Sequence, residues 1–276
     1  MMYKTLLLGL LASSSNAHVV KKQPVMKLRG GLAGLDTNQV ANVVLSVSAA
    51  NSAVMALAPK KAGEMYGVAS TKWADFFAQW SGLLIFGQTL TTFLALGGMS
   101  FTEAMGWGFV PGTIAAIQDL LNDKMVSEMG MGTHAKFMPP LVNIVLTLGL
   151  LGKLPFLGAD LALKVAAFWM GLNGLYGYLA TDAWLEGWGG SGLTSADAGM
   201  GKLMAQTMTA GAAQAAAVAF MGKSAMESWG ILMAVYLASN IDFMYISKTL
   251  DSMGVDSAKG LFWAALQALS VGVVFF

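Results

Sequence analysis

No cysteine occurs among the 276 residues, and the chain holds only two histidines, six prolines and one arginine, Arg29. Without thiols there are no disulfides, thiolate metal sites, iron–sulfur clusters or cysteine nucleophiles. His18 and His134 are isolated imidazoles, which argues against a membrane di-iron centre and against haem or chlorophyll ligation. HExxH, GxSxG and a lysine phosphate loop are all missing, which weighs against catalysis. No cofactor or metal is expected. Charged residues make up 11% of the chain and the net charge is +1, so there is no basic face for nucleic acid.

Apolar sequence dominates instead, with 56% hydrophobic residues and a mean hydropathy of +0.61. A surface of that composition cannot be mostly wet. A helix needs about 20 apolar residues to cross a hydrocarbon layer of roughly 30 Å. Candidate spans are 39–56, 76–96, 105–121, 137–151, 161–179, 203–221, 228–247 and 260–276. Pro111 and the Pro139–Pro140 pair weaken two of these, and six or seven spans is the competing count. The alternating pattern of a membrane β-barrel is missing. The expected fold is therefore all-α, a polytopic membrane helical bundle with about eight transmembrane helices.

A second pattern suggests duplication. LAPKKAGEMYG at 57–67 returns as LATDAWLEGWG at 179–189, with Glu64, Tyr66 and Gly67 falling on Glu186, Trp188 and Gly189. At a nearly constant offset Ser100, Glu103, Lys124 and Gly130 fall on Ser224, Glu227, Lys248 and Gly254. Matches among charged inter-helix residues mean more than coincidences of Gly and Ala. Four spans per unit would make two parallel four-helix repeats, 37–158 and 159–276. Most lysines between the expected spans fall on one side, including Lys60, Lys61, Lys124, Lys202 and Lys248, which sets that side as cytosolic or stroma-like.

The start of the chain reads as a routing region. Residues 1–17 combine Lys4, a short apolar core and a small-residue ending, the layout of a signal peptide, with a first membrane helix as the alternative. Residues 18–36 form a basic targeting or lumenal tail. Its Leu28–Gly31, LRGG, resembles the N-terminal region of diatom and related algal proteins sent through the secretory route, some of them to the plastid. The Phe that usually follows the cleavage point in plastid-bound proteins of such algae is missing, so plastid, endoplasmic reticulum and other endomembranes stay open. The four-helix unit, with Pro59 and Gly67 ending its first helix, resembles the DoxX-like membrane proteins. The second unit departs from that pattern by placing Thr181 where Pro59 stands. The resemblance implies a scaffold more than an activity.

Polar residues inside apolar stretches are the candidate site. Asp242 is the sharpest, because a carboxylate within an apolar span is costly and faces protein or a water-filled cavity. Gln118 is its repeat counterpart, with Asp119 alongside. Gln88, Asn143, Lys164, Asn173, Gln214, Asn240 and Gln267 complete a set that either lines a polar pathway or binds helices together. Lys164 also reads as a side chain snorkelling to the interface. The function expected is a carrier or channel for a small solute or lipid, using a polar path between the repeats. The alternative is a structural or accessory subunit of a membrane complex. Membrane lipids, and a membrane-protein partner or a second copy, are the expected partners.

Overall fold

A computed structural model describes residues 36–276. The expected signal peptide, the basic tail before Asp36 and the LRGG tetrad lie outside the described residues. Within them the fold is all-α, and most of the longer helices begin where a side chain takes up a free backbone N–H. Asp36 accepts the N–H of Asn38 at 2.9 Å and opens α1 (Thr37–Leu57). Pro59 cannot continue that helix but suits a first turn, so α2 (Pro59–Tyr66) starts there and closes at Gly67, φ 85°. Thr71 caps α3 (Lys72–Leu96) and Ser100 caps α4 (Phe101–Leu121). A π-helical turn at Lys124–Glu128 leads into α5 (Thr133–Leu150).

The chain continues as α6 (Ala159–Leu179), α7 (Thr181–Gly187), α8 (Ser195–Met221) and α9 (Ala225–Ile241). Helix α9 runs on as a π-helical turn, Asp242–Ile246, before α10 (Thr249–Met253) and α11 (Ser257–Phe275). Reciprocal capping boxes, Thr194 with Asp197 and Ser224 with Glu227, open α8 and α9.

Helices α3 and α8 form the centre, packed on each other. Helix α3 also meets α1 and α4, α8 also meets α6 and α9, and α5 and α11 lie outermost on α4 and α9. Small residues allow this closeness. A Cβ on Gly82 would stand 2.7 Å from Met55 Cβ of α1, and one on Gly174 would stand 2.6 Å from Thr209 N of α8. Several buried hydroxyls in the two central helices, though not Ser81 Oγ, bond back to their own carbonyls: Thr91 Oγ1 donates to Gly87 O at 2.8 Å and Thr207 Oγ1 to Leu203 O at 2.8 Å. Hydroxyls paired in this way bring little unpaired polarity to the core.

The expectation of about eight transmembrane helices in two parallel four-helix repeats is corrected here. All eight stretches are largely helical, yet among the described residues only three helices are long and apolar enough to cross a membrane: Thr37–Leu57, Ala225–Ile246 and Ser257–Phe275. The physical reason lies in what interrupts the others. Helix α3 carries Lys72, Asp75, Gln79 and Gln88, α8 carries Asp197, Lys202, Gln206 and Gln214, and α6 carries Asp160, Lys164 and Asn173. Helix α5 has 18 residues, with His134, Lys136 and two prolines among them. Runs of Gly, Ala and Thr between these groups serve helix contact more than transfer into hydrocarbon.

Candidate ligand cavity

Five helices, α1, α3, α8, α9 and α11, enclose a cavity of ≈ 160 Å³. Its walls are mostly apolar, with Val44, Ile85, Leu232, Met233, Phe243 and Leu266 among them. Toward α2 and α10 the lining reaches half-buried Asp75 and Lys259 and exposed Ala69, so the cavity communicates with the surface at that end.

Polar groups occur at three levels of the wall. Deepest is a buried cluster in which Tyr236 Oη donates to Gln88 Oε1 at 2.7 Å and Gln88 Nε2 donates to Thr207 O at 2.7 Å. Gln206 stands in the same wall, 1% exposed, and its Oε1 has no hydrogen-bond donor. In the middle, Asn240 Nδ2 donates to Gln267 Oε1 at 2.8 Å, tying α9 to α11. At the open end, Trp263 Nε1 donates to Tyr66 Oη at 3.0 Å, and Tyr66 donates to Asn51 Oδ1 at 2.8 Å. Burial pushes the Tyr66 phenol above its ordinary pKa, against the hydrogen bonds from Trp263 and with Asn51. Lys259 Nζ donates to the carbonyl of Met65 and lies 5.8 Å from the Tyr66 ring centre.

Asp242 does not line this cavity, although its neighbours Asn240 and Phe243 do. Its Oδ2 accepts from Tyr178 Oη at 2.7 Å, Lys202 Nζ at 3.1 Å and Ser247 Oγ at 3.1 Å. Lys202 also sits 4.8 Å from the Tyr178 ring centre and 5.3 Å from that of Phe243. The carboxylate thus joins α6, α8 and the π-helical turn in one charge-paired cluster.

The other sequence-predicted residues are dispersed. Asn143 and Gln214, with Gln88, line a smaller pocket of ≈ 40 Å³ on the far side of α3. There Gln214 Nε2 donates to Thr92 Oγ1 at 2.8 Å, while Asn143 Nδ2 bonds back to Pro139 O at 2.8 Å. Asn173 Nδ2 bonds to Trp169 O at 3.0 Å. Asp119 is buried beside Lys124, 3.9 Å away, and Gln118 is half-buried next to it. Lys164 is exposed on α6. The two turns meet other glycines: a Cβ on Gly67 would lie 2.8 Å from Gly254 O, and one on Gly189 would lie 2.9 Å from Gly132 N. Glu64 and Glu186 are exposed, and Trp188 faces His134 with ring centres 5.3 Å apart.

Sequence reasoning did not single out Tyr236, Trp263, Tyr178, Lys202 or Asp197 as site residues. Only Asp197 carried a readable signal, the spacing of Thr194 and Asp197 in a capping box. Pairing across helices left no local mark for the others.

No protein-family model, curated protein or solved structure matches this chain.

Proposed function

We propose that this is an integral membrane protein that binds a small, largely apolar molecule in the cavity between α1, α3, α8, α9 and α11, as a carrier or a reservoir would. The observation behind it is the cavity itself. A space of ≈ 160 Å³ holds about five waters, or an apolar ring the size of benzene. Packed interiors seldom leave so much space, and an apolar void forfeits contacts on every wall. Three membrane-length helices, α1, α9 and α11, all of them lining the cavity, supply a route from lipid.

Transport across the membrane would need a continuous path, and Gln88, which lines both the large and the small pocket, stands where the two would join. The closed pairs Tyr236–Gln88, Asn240–Gln267 and Gln214–Thr92 favour a second reading, a structural subunit whose amides only hold helices together.

Purified protein in detergent separates the two. Ring-sized apolar compounds are expected to raise the melting temperature of the wild type and to leave Ala78→Phe, which fills the cavity from α3, unaffected. A wild type that responds to no compound in a broad panel, and that carries no co-purifying small amphiphile by mass spectrometry, leaves only the structural reading.

A further inference from the structure

Resting on the cavity reading, we propose that Gln206 is its recognition group and that the ligand carries a hydrogen-bond donor, a hydroxyl or an N–H, on a ring-sized apolar body. Gln206 lies on the central helix α8, 1% exposed, in the wall of the cavity. Its Oε1 is one of the few buried side-chain polar atoms with no partner among the described residues. A buried amide oxygen left without a donor is unfavourable, so such a group calls for an explanation.

Several donors in the surroundings already have acceptors, and none of the described donors bonds Gln206 Oε1. Gln88 Nε2 is held by Thr207 O, Tyr236 Oη by Gln88 Oε1, and Gln214 Nε2 by Thr92 Oγ1. Elsewhere on the cavity walls, Asn240 Nδ2 donates to Gln267, Trp263 Nε1 to Tyr66, and Tyr66 Oη to Asn51. Gln206 therefore stands as an acceptor that the fold holds in place and does not use. The rest of the deep wall, with Ile85, Leu232 and Met233, suits an apolar body. A phenol-like or indole-like molecule, or a short-chain alcohol, has this chemistry; a hydrocarbon of equal size lacks the donor, and a charged group would meet no counter-ion beside Gln206, Ile85, Leu232 and Met233.

Phenol and toluene test this, because they differ by a hydroxyl in place of a methyl. Both are titrated into the purified full-length protein in one detergent by calorimetry, and the ratio of their affinities is compared between proteins, which cancels partition into micelles. The ratio is expected to fall about tenfold toward toluene in Gln206→Met, the worth of one neutral hydrogen bond. Thr209→Val alters the same helix outside the cavity wall, and it should preserve the wild-type ratio. Gln206→Leu serves if the Met variant does not fold. Both probes binding with an unchanged ratio in the Gln206 variants overturns the recognition role and leaves the cavity reading intact. Neither probe binding the wild type overturns both.

Discussion

Asp197 Oδ1 accepts the backbone N–H of Ala74 at 3.0 Å, although the two residues belong to different helices. The same carboxylate bonds Thr71 Oγ1, and through Oδ2 it accepts Thr194 N and Thr194 Oγ1, each at 2.8 Å. One side chain, 4% exposed, thus caps α8 and braces the start of α3. The two central helices are tied together at one end by a group that also defines their first turns.

Loss of that group should be costly. Asp197→Ala is expected to lower stability by about 3 kcal/mol, combining a lost cap with charge-assisted bonds left unmade. Asp197→Asn keeps an acceptor for Ala74 and should lose about half as much. Urea or detergent-titration unfolding of the purified variants measures both, and an Asp197→Ala variant as stable as the wild type would show that the shared carboxylate does not brace the two helices.

The Lys202–Asp242 pair predicts non-additivity. Its side chains are 17% and 21% exposed, so removing Lys202 strands a carboxylate that only Tyr178 and Ser247 then support. Lys202→Met should destabilise by about 2 kcal/mol, and Lys202→Met with Asp242→Leu by less than the sum of the single changes. A double-mutant cycle that sums to zero coupling would contradict this.

Asp119 sets a pH dependence. Burial raises its carboxyl above the ordinary range, with Lys124 at 3.9 Å opposing the shift. A folded pKa above the unfolded one means the stability contribution is fully present below the unfolded pKa and is lost as pH rises through the folded pKa. Asp119→Asn, neutral throughout, should therefore melt higher than the wild type at neutral pH, and the advantage should vanish once the pH falls below the ordinary carboxylate range. A wild-type profile that the substitution leaves unchanged would remove Asp119 as its source.

Glycine positions separate contact from composition. Gly174→Ala forces a Cβ against the α8 backbone and should cost about 2 kcal/mol. At Gly112 the nearest atoms to an added Cβ are 3.9 Å away, so Gly112→Ala should be neutral or gain up to about 1 kcal/mol from helix propensity. Thermal unfolding of the two variants side by side gives the comparison.

Helix positions and several caps were legible in the chain. Apolar stretches, Pro59 before a first turn, Gly67 after a last one and the Thr194–Asp197 spacing each act through neighbours a few residues apart. The polar candidates were legible as residue types in unusual places, but their roles were not. Asp242 stood out, while its partner Lys202 did not, because the two are forty residues apart and meet only when α8 packs beside the end of α9. Gln88 and Gln206 are the same residue type in helices of similar composition. Packing gave Gln88 two partners and left the oxygen of Gln206 with none.

By itself, then, the sequence determined an all-α protein rich in apolar helix, free of thiol chemistry and without a recognised catalytic motif, because composition and local periodicity are properties of the chain alone. The tertiary structure decided that only three of the described helices have the length and apolarity to cross a membrane, and which polar residues meet across helices, as Tyr236 with Gln88 and Lys202 with Asp242. It also decided where a cavity remains. A void is the space that five separately encoded helices fail to fill, and no stretch of any one of them records it.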